Sequence, residues 1–436
     1  AVSELHARVL RAAHPHARIV SIHTARAREL PGVLAVLTHR DVPGHNRHGL
    51  VTSDWPVLCD DKVRYLGDAV AIVAAEAPEI AREAVGLIEV EYEPLATVSS
   101  AEQAMEPDAP LVHETWKGGN LLEHIKVRRG DVAEGFAQAD VVVEREYRTP
   151  AYDHMFMEPE CSIGVPAGYD DDHPKLTVYV GSQIPYADRN QIAAALVLPP
   201  EQVRVRGTLL GGGFGGKEDI MGQIHAALLA RATSRPVKVL YDRAESLLAH
   251  PKRHATVIRI KTGARRDGTL TAVQAELIGD AGAYASLSTK VLTRATTHAT
   301  GPYDVPHARV DCFAMYTNNP PAGAFRGFGV TQSAFAVESN MDILAHELGM
   351  DPFALRRKNA LRVGATTATG QVLRESVGLL DCIDWVQACV GELPPPVVEA
   401  GKKVAWGLAC AYKNTGLGGG ADDAAAAEVE VLPDGT

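Results

Sequence analysis

Five glycines, one aromatic ring and a Lys-Glu pair fill the eight positions Gly211-Gly212-Gly213-Phe214-Gly215-Gly216-Lys217-Glu218. Glycine loses more backbone entropy on folding than any other residue, so glycines this dense mark a chain that turns sharply or lies against something. The run from Val203 to Leu210 before them reads as a strand, and Asp219, Ile220, Met221, Ile224, Ala227, Leu228 and Leu229 after them recur at helical spacing. A strand entering a helix through glycines offers N–H groups and a helix dipole to an anion. Gly211, Gly213 and Gly216 satisfy G-x-G-x-x-G, and Gly211 to Lys217 satisfies seven positions of a P-loop. Glu218 stands where a P-loop needs a hydroxyl for Mg²⁺, and a carboxylate there would repel phosphates. The dinucleotide pattern wants an acidic residue about 20 positions on, where the chain has Arg231-Ala232-Thr233-Ser234-Arg235. A second turn of the same kind, Gly323-Ala324-Phe325-Arg326-Gly327-Phe328-Gly329, precedes an amphipathic pattern from Thr331 to Leu348. Two such turns suit a long ligand with several polar ends, with Phe lying on a flat ring. The alternative is two tight packing turns.

The elements that position these turns alternate between strands and helices. Ala17–Ile22, Val33–Leu37, Ala69–Ala74 and the alternation from Leu87 to Tyr92 read as strands, with helices from Thr24 to Leu30 and Pro78 to Val85 between them. Residues 1–95 are therefore expected to form a small domain with mixed helices and strands. Residues 96–122, rich in Pro, Gly and Ser, read as a linker. The pattern restarts with strands at Val141–Tyr147 and Leu176–Val180 and a helix containing Arg189 to Leu198. A helix running to Arg231, a strand at Val237–Leu240 and strands Thr256–Lys261 and Thr269–Ile278 follow, the last two joined by the turn Arg266-Asp267-Gly268. Beyond about residue 363 the chain predicts a helix around Leu380–Val390, a strand from Val404 to Ala411 and a last strand at Val429–Leu432. Both ends look cut, and a terminal strand needs a neighbour to pair with. The fold class is α+β.

With 436 residues the chain is long enough for two to four domains. Forty-three Lys and Arg against 54 Asp and Glu leave a net charge of −11, which argues against a nucleic-acid surface. Six scattered cysteines without a C-x-x-C write neither an iron–sulfur nor a zinc ligand set. The sequence contains no apolar run of about 18 residues to span a membrane and no opening signal segment, so a cytoplasmic location is expected.

Taken together, Gly211–Glu218 and Gly323–Gly329 closely resemble the molybdenum-cofactor-binding large subunit of the xanthine dehydrogenase family of molybdenum hydroxylases. The resemblance extends through Leu66-Gly67-Asp68-Ala69-Val70-Ala71, His154 to Pro159, Gly181-Ser182-Gln183-Ile184-Pro185 and Asp280-Ala281-Gly282-Ala283-Tyr284, nearly the whole chain. It implies that residues 1–95 are the family's hammerhead domain, 123–362 its first cofactor-binding domain and 363–436 the start of the second. It implies that Gln183 lies near the apical ligand of molybdenum and that Gly213, Phe214 and Gly215 face the metal centre and the pterin. Phe325 and Arg326 would lie beside the cofactor, Phe328 would pack on the substrate ring, and Ala324 would leave room for it. Molybdenum in this family is held by a pterin dithiolene, so the resemblance requires no protein metal ligands. The pterin would be a cytosine dinucleotide form, with iron–sulfur clusters and FAD on partner chains.

Glu218 and Arg294 match positions where purine-hydroxylating members grip the ring from two sides. A buried carboxylate and guanidinium can pin a flat polar heterocycle and stabilise charge developing on it. The alternative for each is an ordinary ion pair. Gln183, Glu218, Arg294 and Arg326 are thus the catalytic candidates for oxidation of a purine such as xanthine or hypoxanthine, with water as oxygen source. Nicotinate or an aldehyde is the alternative substrate within the family, and a non-catalytic nucleotide- or cofactor-binding subunit is the alternative outside it. The family's catalytic glutamate follows a Gly-x-Gly-Glu type segment; Gly416 to Ala427 offers only Asp422-Asp423. The base is therefore expected on a second cofactor-binding chain or a continuation.

Overall fold

The computed structural model describes residues 4–169, 175–393, 400–414, 416, 427 and 429–435. The apolar run Ala69–Ala75 has all seven residues buried, which places it inside a sheet covered on both faces. That sheet has seven strands in the order Val203–Gly207, Leu176–Val180, Cys161–Pro166, Val237–Leu240, Leu5–Arg11, Ala69–Ala75, Val33–Thr38. Leu5–Arg11 pairs in parallel with Val237–Leu240, Leu5 opposite Val237, so one sheet runs across the sequence division expected near residue 95. The helix Gln223–Thr233 covers it with eight consecutive buried residues. A Cβ on Gly164 would lie 2.4 Å from the Ala226 carbonyl oxygen, so only glycine lets strand and helix approach this closely.

A second sheet carries the other half of the site. Its five strands run in the order Val141–Thr149, Thr256–Ala264, Leu270–Gly282, His307–Tyr316, Leu121–Arg129. The hairpin between Thr256–Ala264 and Leu270–Gly282 turns where Arg266-Asp267-Gly268 predicted, with Asp267 Oδ1 accepting from Thr269 N at 3.0 Å. Helices Ser288–Thr297 and Val330–Leu348 bury Leu292, Ala295, Ala336, Val337 and Leu344 in the core of this sheet. A smaller sheet of Lys62–Val63, Ala17–His23 and Glu89–Pro94 completes the opening region. Asp68 ties the regions together: fully buried, it accepts Arg64 N at 2.6 Å and Tyr284 Oη at 2.9 Å.

Several expectations change. Residues 96–122 contain a short helix, Ala101–Ala104, and are pinned by Val98 N donating to Asn318 Oδ1 and Arg64 Nε donating to the Val112 carbonyl. The helix containing Arg189 begins earlier, at Pro185, and ends at Leu196, where Val197 turns left-handed. The helix after the first glycine turn begins at Gln223 rather than Asp219, because Asp219 is extended and Gln223 Oε1 takes the N–H groups of Met221 and Gly222. No strand forms at Val404–Ala411: Val404 and Trp406 are exposed, no neighbour pairs with this backbone, and the alternation has no sheet face to bury. Residues 429–432 likewise carry no strand among those described. Asp422 and Asp423 lie outside the described residues. Among the described residues no helix is long and apolar enough to cross a membrane, and no cluster of His, Cys, Asp or Glu could hold a metal ion.

Candidate functional site

Gln183 sits between the strand Leu176–Val180 and the helix Pro185–Leu196, and it holds the first glycine turn by its side chain. Its Oε1 accepts from Gly215 N at 3.0 Å and Lys217 N at 3.3 Å, which leaves Nε2 as the outward donor, 3.5 Å from Glu218 Oε1. A Cβ on Gly213 would lie 2.4 Å from that Oε1, so the amide fits only against a bare backbone. Phe214 stands half exposed with φ 57°, a left-handed conformation that costs a non-glycine residue about 1–3 kcal/mol. Behind the turn, buried Lys217 Nζ pairs with Glu158 Oε2 at 2.9 Å, and Gly211 N donates to the same oxygen.

The two turns meet. Arg326 N donates to the Phe214 carbonyl at 2.9 Å, and a Cβ on Gly215, where φ is +97°, would lie 2.8 Å from the Ala324 carbonyl carbon. Ala324 is buried at this seam. Phe325 is sandwiched, with the His154 ring stacked at 4.0 Å on one side and the Arg253 guanidinium 3.8 Å from the ring centre on the other. Arg253 also donates to the Arg326 carbonyl at 2.9 Å, so it fixes the second turn at two points. Phe328, half-buried, shares the left-handed conformation of Phe214 with φ 48°. The second turn opens the helix Val330–Leu348 directly from Gly329, as expected; the first does not open a helix, so it lends no α-helix dipole to a ligand. Arg326 is exposed and makes no ion pair among the described residues.

Glu218 lies at this seam, and Arg294 lies on a helix that packs against the second turn. Glu218 ends the first turn, and burial together with the neighbouring Asp219 charge pushes its carboxyl up to about 7. Asp219 is raised to about 6 by burial while accepting from Ser286 Oγ at 2.7 Å. Ser286 lies just before the helix Ser288–Thr297 that carries Arg294, and a Cβ on Gly329 would fall 2.1 Å from Val291 O on that helix. These contacts connect Glu218 and both turns to the helix that carries Arg294. Neither Glu218 nor Arg294 belongs to an ion pair among the described residues, and no cation contributes to the Glu218 shift. Among the described residues the ordinary ion pair that the sequence leaves open forms for neither.

Glu158, Arg253 and the Asp219–Ser286 bond escape sequence reasoning, since each partner lies tens of residues away. His154 and Glu158 lie in the segment His154–Pro159, and the family resemblance of that segment is the signal that marks them. The His154 imidazole is held down to about 4 by burial and by His250, so it stays neutral against Phe325 with Nε2 on the Ala324 carbonyl.

Two bare glycine turns meet through Arg326 N and the Phe214 carbonyl, with an amide donor and an acidic side chain without an ion-pair partner among the described residues beside them, an arrangement that keeps backbone open to a large polar ligand. Family models agree: the molybdopterin cofactor-binding domain matches residues 112–360, and the a/b hammerhead domain of aldehyde oxidase and xanthine dehydrogenase matches residues 1–96. The chain belongs to this molybdopterin-binding aldehyde oxidase and xanthine dehydrogenase family. Among individual relatives, it is 47% identical to the nicotinate dehydrogenase large molybdopterin subunit of Eubacterium barkeri, over 87% of this chain and 88% of that one. It is 36% identical to the xanthine dehydrogenase molybdenum-binding subunit of Escherichia coli O157:H7, over 87% of this chain but 51% of that one. The solved aldehyde oxidoreductase from Desulfovibrio gigas superposes with a TM-score of 0.84 at 34% identity, covering 88% of this chain and 43% of that one. The chain thus spans most of the first relative and about half of the other two.

The residues present fit a molybdopterin. Backbone at Gly213 and Gly215 is kept free of side chains, and Gln183 Nε2 and the Arg326 guanidinium are donors without an internal carboxylate partner closer than 3.5 Å. Gln183, Gly213, Phe214, Gly215 and Arg326 are the residues that would hold it, while Phe325, its ring taken by His154 and Arg253, would brace the second turn instead of meeting the cofactor as the sequence predicts.

Proposed function

We propose that this chain is the molybdopterin-binding subunit of a hydroxylase that oxidises an N-heterocycle held between Glu218 and Arg294. The observation that carries this reading is that neither charge has an ion-pair partner among the described residues, while Glu218 ends the first turn and Arg294 lies on the helix against which Gly329 of the second turn packs. When bound, the cofactor supplies two-electron redox chemistry and delivers oxygen derived from water. Glu218, neutral below about pH 7, donates a hydrogen bond to a ring acceptor or accepts one from a ring N–H once ionised. Arg294 stabilises negative charge that develops on the ring. Phe214 and Phe328, fixed in left-handed conformations, present aromatic surface to the flat substrate. Gln183 Nε2 would be the donor offered to the bound cofactor, while Oε1 stays committed to the turn.

A purine such as xanthine or hypoxanthine uses both side chains; nicotinate is the second reading, favoured by the relative of that name. The catalytic base, the iron–sulfur clusters and FAD belong to partner chains or a continuation, the pterin is a cytosine dinucleotide, and the enzyme is cytoplasmic. Metal analysis with an absorbance spectrum of the purified complex, followed by assays of xanthine, hypoxanthine and nicotinate, tests the reading. Molybdenum with turnover of one of these rings is expected. Bound nucleotide without molybdenum would establish a cofactor-storage subunit instead.

A further inference from the structure

The direct backbone bond between the two glycine turns, from Arg326 N to the Phe214 carbonyl, fixes a distance but lets the turns swing about it. A second link runs underneath, through two histidines. His250 Nε2 bonds the Gly216 carbonyl of the first turn at 2.5 Å, and His154 Nε2 bonds the Ala324 carbonyl of the second at 2.7 Å. A carbonyl only accepts, so each ring carries its hydrogen on Nε2. The two rings meet edge to face, with centres 5.2 Å apart and planes at 87°. A Cβ on Gly216 would lie 2.6 Å from His250 Cε1 and 2.9 Å from His154 Cγ, so the first turn rests on both rings at once.

We propose that His154 and His250 are positioning residues for the molybdopterin, a bracket that sets how the two turns face one another across it. This rests on the function proposed above, in which both turns hold that group. The rings are confined: His250 is fully buried and His154 nearly so, with Phe156 edge-on to His250 at 4.9 Å and Phe325 stacked on His154. The backbones that carry them are tied as well, since Lys252 Nζ pairs with Asp153 Oδ2 at 2.9 Å and donates to the His250 carbonyl at 2.5 Å. Lys252 N also donates to the Pro321 carbonyl, and the Lys252 carbonyl accepts from Gly323 N at 3.0 Å, one residue before Ala324. Glu160 Oε1 stands 3.4 Å from His250 Nε2, which leaves the nearer Gly216 carbonyl as the acceptor. Nδ1 of neither ring has a hydrogen-bond partner among the described residues, so the hydrogen bonding of each ring is directed to a turn. Burial above all holds both imidazoles well below their ordinary range, which keeps the bracket uncharged.

The test uses the purified complex with its partner chains and cofactor. Molybdenum content, the rate of molybdenum loss on prolonged incubation and Tm are measured for wild type, His250→Phe, His250→Asn and His250→Gln. Phenylalanine keeps a ring without the donor, asparagine carries a donor on too short a side chain, and glutamine places its amide at the reach of Nε2. About tenfold faster loss is expected for phenylalanine and asparagine, on the scale of one hydrogen bond, with recovery in His250→Gln. Equal retention in all four proteins overturns the bracket. So does a loss that follows Tm whichever side chain is present, because that marks ordinary packing. Should His250→Phe fail to assemble, the asparagine and glutamine variants decide by the same criteria. Retention that changes as expected in a complex that turns over neither xanthine, hypoxanthine nor nicotinate supports the bracket and overturns the N-heterocycle reading. A wild-type complex without molybdenum overturns both.

Discussion

Glu218→Gln tests whether the burial of this carboxyl is real and is used. A carboxyl that ionises near 4.5 in the unfolded chain and near 7 in the fold is more protonated in the fold throughout that window. Stability must therefore fall as pH rises from 4.5 to 7 and stay lower above it, the reverse of the usual acid with a depressed value. At about 1.36 kcal/mol per pH unit, the rise sets a ceiling of about 3 kcal/mol. The carboxyl is only partly buried, so solvent screening reduces this to about 1–2 kcal/mol. Glutamine keeps the shape and removes the charge. Denaturant unfolding of the purified complex should show Glu218→Gln about 1–2 kcal/mol more stable than wild type at pH 8 and indistinguishable from it at pH 4. The same substitution should flatten the pH dependence of substrate affinity around pH 7, because the ring no longer meets a group that changes from donor to acceptor there. A variant that is less stable at pH 8, or an unchanged titration of affinity, refutes the assignment of Glu218 as a strained carboxyl facing substrate.

Gly215→Ala places a methyl 2.8 Å from the Ala324 carbonyl carbon at φ +97°, so the two turns must separate; purified complex should lose most of its molybdenum, and full metal content with an unchanged Tm would contradict the seam. Lys217→Met removes the partner of Glu158, and because that carboxylate is a third exposed the loss should be about 2 kcal/mol, below the 3–5 of a fully buried pair, as read by denaturant unfolding. Glu158 is held below its ordinary range, so this contribution is present above pH 4.5 and disappears as acid protonates it, which makes wild type and Lys217→Met converge toward low pH. Arg253→Gln removes the cation over Phe325 and the bond to the Arg326 carbonyl, worth about 1–2 kcal/mol locally; trypsin should cleave after Arg326 faster than in wild type. His154 is held near 4 and so neutral in the fold, so stability should fall between pH 6.5 and 4 as the unfolded chain takes up the proton first, a fall that His154→Phe lessens.

Periodicity was enough for the strands Leu176–Val180 and Val141–Thr149, for the Arg266-Asp267-Gly268 hairpin and for the helix ending at Leu348, because each is decided by local alternation or turn chemistry. The glycine turns were legible as close approaches, but not what they approach. That Arg326 N reaches the Phe214 carbonyl depends on two sheets brought together by Asp68 and Tyr284, and no local pattern encodes such a contact. Asp219 has helical spacing in the sequence and loses it in the fold, since Ser286 Oγ donates to its carboxylate in the seam, where side-chain-free Gly323 leaves it room. Val404–Ala411 shows the limit of alternation: a strand is a partnership, and this stretch finds a carboxylate on Glu338 rather than a neighbouring edge. Glu218 stood out because it spoiled a P-loop; the structure adds the reason it can act, a desolvated carboxyl beside a second acid.

The parallel pairing of Leu5–Arg11 with Val237–Leu240 has a consequence for how the protein comes into being. On a ribosome the strand Leu5–Arg11 waits, its edge unpaired toward that neighbour, until more than 200 further residues have been made. Contacts of such long sequence separation are slow to close and leave an open edge exposed meanwhile. The strand that closes the sheet follows the first glycine turn, and the second turn follows both, so the seam between the turns forms only after all three have been made. A ligand held by both turns would therefore meet them only after the segment from Gly211 to Gly329 is in place.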